Sequence, residues 1–213
     1  MTDRQPVTPD DLRTAAALGR AALEPALDKD WTVLAREMEW TCRQTLDHLP
    51  DALGFYAANL ATRATGPRPH PRNGDPARSV AELLLVLESA AAVLAAVAEA
   101  APPGTRAFHP AGIADAEGFL AMGCAEILLH TDDIAAALGV PFEPPAGLCA
   151  RITRRIFPWA PAEGGQWDAL RWAGGRIALP DRLRLDANWW WHCAPLEEWD
   201  GTINRRTAPP VWR

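Results

Sequence analysis

The sequence has almost no lysine and no cluster of basic residues. Lys29 is the only lysine, and 21 basic residues against 27 acidic ones give a net charge of -6. An acidic chain without a basic stripe argues against nucleic acid as a partner, and the lack of a polybasic patch argues against anionic lipid surfaces. Arginine takes the place of lysine, while alanine, proline and tryptophan are abundant. This composition is typical of high-GC bacteria.

The sequence also lacks secretory, redox and nucleotide-binding motifs. The stretch up to Pro9 contains no apolar signal-peptide region, so we expect a cytoplasmic protein. A glycine-rich phosphate loop, a dinucleotide fingerprint and a Ser-His-Asp order are all missing. No two cysteines form a C-x-x-C pair, and without a secretory signal free thiols are predicted. The four cysteines are Cys42, Cys124, Cys149 and Cys193.

Apolar spacing and capping signals predict four helices in the first two thirds of the chain. They are expected at about Pro9–Leu27, from Thr41 to Leu60, at about Pro76–Ala100 and at about Ile113–Leu138. The third helix is almost entirely Ala, Leu and Val, and we interpret it as a helix buried on several sides rather than as a membrane span. An up-and-down four-helix bundle is the simplest architecture for such a mainly α chain.

The composition changes after Pro145, where tryptophan, glycine and proline become frequent. We therefore predict a bundle domain over residues 1–144 and a Trp-rich C-terminal extension over residues 145–213 that packs on the bundle. One short helix is expected to contain Leu148 and Ile156. The segment from Ile177 to Leu185 is expected to form a strand or hairpin.

Three residues of the predicted bundle have the chemistry of metal ligands. Glu126 and His130 are four residues apart on the fourth helix, which places both side chains on one face. That face also carries apolar residues, and an ionised carboxylate among them is costly unless it is paired or bound to metal. His48 lies beside the apolar seam of the second helix, which includes Tyr56. Two histidines and one carboxylate with an open position are typical of a catalytic divalent-metal site, for which zinc fits best.

The same residues also have simpler interpretations. A Glu-x-x-x-His pair is common on solvent-exposed helix surfaces, and a lone buried histidine is usually only hydrogen-bonded. The inward-facing stripes favour the metal site, because bundles build metal sites from facing helices. Asp133, three residues after His130, is expected either to orient a ligating histidine or water, or to be a solvated carboxylate.

The sequence contains two further motifs around these residues. They are Glu39-Trp40-Thr41 followed by Leu46-Asp47-His48-Leu49, and Ala125-Glu126-Ile127-Leu128-Leu129-His130-Thr131-Asp132-Asp133-Ile134-Ala135. Both resemble motifs of the DinB-like metalloenzyme superfamily, and in particular of its mycothiol-dependent maleylpyruvate isomerase family. The resemblance covers about Thr8 to Gly139 and implies a four-helix bundle in which His48, Glu126 and His130 hold zinc. The Trp-rich C-terminal segment is similar to the tails of actinobacterial relatives.

The resemblance implies a divalent-metal-dependent enzyme of the isomerase or S-transferase type that acts on a small molecule. A low-molecular-weight thiol such as mycothiol would bind the metal as a thiolate and act as the nucleophile. Asp133 would be an orienting residue. Two other functions stay open: a non-catalytic DinB-like protein for ligand binding or stress response, and a metal-dependent hydrolase that uses bound water. A monomer or a homodimer is expected.

Overall fold

The computed structural model describes residues 4–36, 38–69, 74 and 76–206, and it is mainly helical. The predicted mainly α class is therefore confirmed. The described residues form six α-helices, one two-stranded antiparallel sheet and two 3-10 turns. They are α1 (Pro9–Leu23), a turn at Glu24–Ala26, α2 (Cys42–Thr62), α3 (Val80–Ala100), β1 (Arg106–His109), β2 (Gly112–Asp115), α4 (Ala116–Leu138), α5 (Ala146–Ile156), α6 (Gln166–Ala173) and a turn at Leu196–Glu198.

Reciprocal side-chain caps set where the first three helices begin. In each pair the first residue accepts a hydrogen bond from a backbone N–H of the first turn, and the side chain of the second accepts one from the N–H of the first. These boxes satisfy N–H groups that have no partner inside the helix. The prediction that the third helix begins at Pro76 is wrong, because Ser79 caps the helix and Val80 is its first residue. The pairs are Thr8–Asp11, Thr41–Gln44 and Ser79–Glu82.

The fourth helix ends as predicted but begins later than predicted. Gly139 follows its last turn with a φ of 67°, a left-handed conformation that favours glycine. Ile113, the predicted first residue, lies instead in β2, where it pairs with Phe108. The helix starts after Asp115, whose side chain accepts a hydrogen bond from the N–H of Gly118. The sequence analysis missed this short hairpin between α3 and α4.

Helix α4 lies at the centre of the packing. Helices α1 and α2 each pack against both α3 and α4, α3 also contacts α4, and α5 covers a further part of α4. Apolar side chains such as Phe119, Met122 and Ile127 are completely buried. The same helix carries buried polar side chains at Glu126 and His130. Such groups need hydrogen-bond partners, opposite charges or a metal ion when they are buried.

Helix α3 is the most apolar helix of the chain. By length and composition alone it is long enough to cross a membrane, with a mean hydropathy of 2.2 over its most apolar stretch. The core helix of a soluble protein passes the same test. One face packs on α1, α2 and α4, while Leu85 and Val93 lie exposed, so burial on several sides is not what the structure shows. The cytoplasmic location stays a prediction.

The segment after residue 145 has little regular structure. Helix α5 was predicted, whereas α6, which packs on it, was not. The predicted strand or hairpin from Ile177 to Leu185 is wrong, since the described residues there form only an isolated bridge between Leu179 and Arg182. Residues 207–213 of the predicted extension lie outside the described residues. The domain boundary near residue 145 stays a prediction.

Arg155 of α5 connects this C-terminal segment to the start of α4. Its side chain is completely buried and forms ion pairs with Asp115 and, at 3.4 Å, with Glu117. Its guanidinium also donates hydrogen bonds of 3.3 Å to the backbone carbonyls of His192 and Cys193. A buried guanidinium is tolerated only when its charge and its donors find such partners. The contact therefore joins three separate stretches of chain.

Candidate metal centre

The three predicted ligand residues converge on one point between α2 and α4. One side-chain donor atom from each of His48, Glu126 and His130 lies within 4.8 Å of the other two. Glu126 Oε2 is 3.7 Å from His48 Nε2 and 3.2 Å from His130 Nε2. In tetrahedral zinc sites with bonds of about 2.0–2.1 Å, neighbouring ligand atoms lie about 3.3 Å apart. The spacing and the donor types therefore suit a divalent cation such as zinc.

The packing of α2 against α4 produces this convergence. Glu126 and His130 lie one turn apart on α4, and His48 faces them from α2. The ring of Trp40, just before α2, lies beside His48 with a centroid distance of 5.0 Å. Its contact limits the positions that the imidazole can take. All three ligand side chains are buried or nearly so, with exposed fractions of 9% to 15%.

Both ring nitrogens of His130 face carboxylate oxygens. Nδ1 is 3.1 Å from Asp133 Oδ2, and Nε2 is 3.2 Å from Glu126 Oε2. A neutral imidazole has only one N–H, so it can satisfy only one of these two acceptors. The other contact needs either a second proton or a cation between nitrogen and oxygen. If His130 donates Nδ1–H to Asp133, the lone pair of Nε2 would be free for a divalent metal that His130 and Glu126 hold together.

Charge in the cluster follows the same pattern. Burial alone raises the pKa of Glu126, but the imidazoles of His130 and His48 lower it well below its usual range. Burial lowers the pKa of His130, and the hydrogen bonds to Asp133 and Glu126 outweigh it, so that the net direction is upward. The surroundings thus favour an ionised carboxylate at Glu126 together with positive charge beside it. A protonated imidazole supplies such charge, and a divalent cation would supply it as well.

Tyr56 holds the second carboxylate oxygen of Glu126. Its hydroxyl donates a 3.1 Å hydrogen bond to Oε1, which leaves Oε2 facing the two histidines. Burial and then the adjacent Glu126 charge raise the pKa of Tyr56 well above its usual value, so the hydroxyl keeps its proton and remains a donor. The sequence analysis placed Tyr56 in the apolar seam of α2 and missed this role. The sequence signal for this role was a tyrosine on the buried stripe of a helix, because a buried tyrosine hydroxyl usually finds a hydrogen-bond partner.

Asp133 lies against His130 rather than in solvent. Only 1% of its side chain is exposed. Burial raises the pKa of Asp133, but Arg176 and His130 outweigh it and lower the pKa below its usual value. Arg176, which comes from the C-terminal segment, approaches Asp133 Oδ2 to 2.8 Å. Of the two alternatives for Asp133, the geometry fits the orienting one.

A cavity of about 540 Å³ opens beside the cluster, and the three ligand residues lie in its wall. Helices α2 and α4 form one side of the cavity. The C-terminal segment forms the other side instead of filling the space. A small molecule can therefore approach the cluster. Further lining residues include Trp40, Leu129, Arg176, Trp189, Trp191 and Arg206.

Arg206 is an unusual part of this wall. Its guanidinium lies over the indole of Trp190, 4.6 Å from the ring centroid, and its buried Nε has no hydrogen-bond partner. Burial lowers the pKa of Arg206. Among the described residues, it forms no ion pair with a carboxylate. A partly buried guanidinium that lacks a counter-ion has spare donors for an anionic ligand.

The cysteines take no part in the cluster. All four cysteines are free thiols, as predicted, and all four are buried. Burial raises the pKa to about 11 for Cys42 and to about 12 for Cys149 and Cys193. It raises the pKa of Cys124 well above its usual value. At neutral pH the chain therefore supplies no thiolate of its own from these residues.

Comparison of the chain with protein-family models, with curated proteins and with solved structures finds no match in any of the three. The family resemblance of the two helix motifs therefore stays a prediction.

Proposed function

We propose that this protein is a divalent-metal-dependent enzyme that uses an external low-molecular-weight thiol on a small anionic substrate, by isomerisation or S-transfer. The observation that carries the proposal is the convergence of two imidazole nitrogens and one carboxylate oxygen in the wall of an accessible cavity. Three protein ligands beside an open space are the arrangement of catalytic rather than structural zinc.

The ligand set fits zinc in number, type and spacing. His48, Glu126 and His130 would hold the ion. Because each ring nitrogen of His130 faces a carboxylate oxygen, Asp133 can accept the proton of Nδ1 while Nε2 and Glu126 would face the ion. Zinc supplies Lewis-acid chemistry, since it lowers the pKa of a thiol or a water molecule that binds to it. A nucleophilic thiol has to come from outside, because burial keeps the four cysteines protonated.

The residues of the wall have separate tasks in this proposal. Tyr56 keeps Glu126 in position by donating a hydrogen bond to Oε1, and Asp133 keeps His130 in position through Nδ1. Leu129, on the turn of α4 before His130, lines the cavity and limits water there. Arg206 offers a planar set of donors that matches a carboxylate, so it would bind the anionic group of the substrate.

For the fold, we propose a DinB-like up-and-down four-helix bundle formed by α1 to α4. Two observations support it: each of α1 and α2 packs on both α3 and α4, and the ligands come from α2 and α4, as the motif resemblance implies. Mycothiol is the proposed thiol because the resemblance points to the mycothiol-dependent branch. The alternative of a non-catalytic ligand-binding protein is less favoured, because the C-terminal segment leaves the cluster accessible.

The first experiment measures metal content by mass spectrometry on untagged protein, with His48→Ala and His130→Ala as variants. We expect about one zinc or similar ion per chain in the wild type and a loss in both variants, since each removes one of three protein ligands. His192→Ala is a matched control, because that histidine lies outside the cluster and contacts the carbonyl of Pro195. A wild-type protein that stays metal-free after zinc addition would overturn the proposal.

The second experiment tests the anionic substrate and the thiol. Binding of maleate, as a small unsaturated carboxylate, is measured by calorimetry on zinc-loaded protein with and without mycothiol. Arg206→Gln should weaken maleate binding about tenfold to a hundredfold, as expected for the loss of hydrogen bonds to a charged group. Arg205→Gln is the control, since Arg205 is exposed and pairs with Asp186. Equal affinities in both variants would exclude Arg206 as the anion-binding residue.

A further inference from the structure

The C-terminal segment reaches the metal centre through a charged side chain. Arg176 follows α6 by three residues, and its Nη2 donates a 2.8 Å hydrogen bond to Asp133 Oδ2. The same carboxylate oxygen faces Nδ1 of His130 at 3.1 Å. The order guanidinium, carboxylate, imidazole therefore runs from the C-terminal segment to the cluster. The sequence separation of Arg176 from the motif of α4 hides this link.

The backbone around Arg176 is fixed closely against α4. A Cβ atom on Gly174 would lie 2.6 Å from a methyl group of Leu129, so a side chain there would require Leu129 to shift. The carbonyl of Gly174 accepts a 2.7 Å hydrogen bond from Arg176 Nη1, and the carbonyl of Arg171 accepts one of 2.8 Å from its backbone N–H. These contacts place the guanidinium beside Asp133.

Asp133 needs this partner in order to orient His130. With 1% of its side chain exposed, its carboxylate has little water to stabilise its charge. Arg176 supplies that stabilisation, and the charged carboxylate then accepts the proton on Nδ1 of His130. A proton fixed on Nδ1 leaves the lone pair of Nε2 for a metal ion.

The neighbouring carboxylate, Asp132, also lies near arginines but is not linked to the cluster. Asp132 lies beside Arg36 at 3.4 Å and Arg171 at 4.0 Å, and among the described residues it forms no hydrogen bond or ion pair with the cluster. Arg171 also lies over the ring of Trp167 and pairs with Asp168. Arg171 and Arg176 thus come from the same short segment and reach adjacent carboxylates, but only one of them is linked to a ligand.

We propose that Arg176 is a positioning residue of the metal centre, which acts through Asp133 to hold His130 in the tautomer and orientation that bind the metal. The proposal rests on the proposed metal site. It makes the Trp-rich C-terminal segment part of that site, so that docking of the segment and binding of the metal are thermodynamically coupled.

The test compares zinc affinities, measured by competition with a chromophoric chelator, for the full-length wild type and matched variants. Arg176→Gln should lower the affinity about tenfold to a hundredfold, the effect typical of groups that support metal ligands. Arg176→Lys, which keeps the charge, should recover part of the loss. Arg171→Gln, the control from the same segment, should bind zinc like the wild type. Absorption of the cobalt-substituted proteins reports any change in ligand geometry.

A double variant separates positioning from simple loss of structure. If Arg176 acts through Asp133, Arg176→Gln combined with Asp133→Asn should weaken zinc binding no more than the worse single variant. Thermal unfolding of the metal-free proteins is measured in parallel. A lower affinity in a variant whose metal-free stability matches that of Arg171→Gln supports positioning. If Arg176→Gln is unstable, the zinc affinities of Asp133→Asn and Arg176→Lys decide between positioning and loss of structure.

The outcomes also separate this proposal from the proposed function. If the wild type binds zinc and Arg176→Gln binds it equally well, the positioning role is wrong while the metal site stands. Additive losses in the double variant overturn the role in the same way. If the wild type binds neither zinc nor cobalt, both proposals fail together.

Discussion

The helical part formed by α1 to α4 and the C-terminal segment after residue 145 hold their positions by different means. The helices begin at reciprocal caps and pack through completely buried leucine, alanine and phenylalanine side chains. The C-terminal segment depends more on arginines and indoles that bind backbone carbonyls, such as Trp172 Nε1 to the carbonyl of Leu183 at 2.9 Å. The difference corresponds to a division of the site: metal ligands lie on rigid helices, and the opposite cavity wall lies on irregular chain.

The largest effect should come from removing the polar connection between the two parts. Arg155→Met keeps much of the apolar volume but leaves Asp115 without its buried counter-charge and two carbonyls without their donor, while Glu117 keeps its ion pair with Arg4. Loss of one partner of a buried ion pair costs about 3–5 kcal/mol. Urea denaturation followed by tryptophan fluorescence and by circular dichroism measures the loss.

The same urea denaturation also shows whether the C-terminal segment unfolds before the helical part. If the C-terminal segment depends on Arg155, its tryptophan signal should change at lower urea than the helical signal. Thr153→Ser, a mild change on the same helix, is the control. Coincident transitions at wild-type stability would show that the apolar contacts of α5 and α6 suffice without the guanidinium.

The next effect concerns His109, which lies between the two parts. Its ring contacts Tyr56 and Phe119 of the helices and Trp191 of the C-terminal segment. Burial lowers the pKa of His109 to about 3. Because its unfolded pKa is about 6.5, the unfolded chain binds the extra proton first, so stability is full above pH 6.5 and falls as the pH drops from there toward 3.

The size of that loss can be measured with one substitution. At about 1.4 kcal/mol per pH unit, the stability should fall by about 2 kcal/mol between pH 7 and pH 5. His109→Gln keeps an acceptor for the N–H of Ala111 but cannot be protonated, so its stability should change less over this range. Urea denaturation at both pH values compares the two proteins. Equal pH dependence would show that His109 is not the group responsible.

The smallest effect should come from Tyr56, within the helical part itself. Tyr56→Phe removes only the hydroxyl that holds Glu126 Oε1, and zinc affinity should fall about tenfold, or about 1.4 kcal/mol. Phe55→Leu, on the adjacent position, is a control for a change in ring packing. Competition with a chelator measures both variants. An unchanged affinity in Tyr56→Phe would mean that the helix packing alone positions the carboxylate.

The two parts also differ in how far the sequence predicts them. The cap pairs at Thr8 and Thr41, the glycine at Gly139, and the spacing of Glu126 and His130 are local patterns, and each led to a helix boundary or a shared face that the structure has. The predicted start at Pro76 failed because Ser79 offers a better cap, which is a competition between two local signals.

The C-terminal contributions could not be predicted in this way. Arg176 and Arg206 reach the cavity through loops whose paths depend on tertiary contacts, and no periodic pattern links them to His130. Helix α6 is only eight residues long and lies between glycines at both ends, so its signal is weak against the surrounding loop composition. Tyr56 was visible as a seam residue, but its hydroxyl partner lies on another helix.

The buried cysteines have a consequence for how the protein tolerates its surroundings. Thiol–disulfide exchange starts from a thiolate, and burial keeps Cys42, Cys149 and Cys193 protonated with pKa values of about 11 to 12. If the proposed use of an external thiol is correct, the protein works among small thiols and their disulfides. With its own sulfur atoms buried and protonated, the chain should exchange with those disulfides slowly, so that oxidation should act on the external thiol before it acts on the protein.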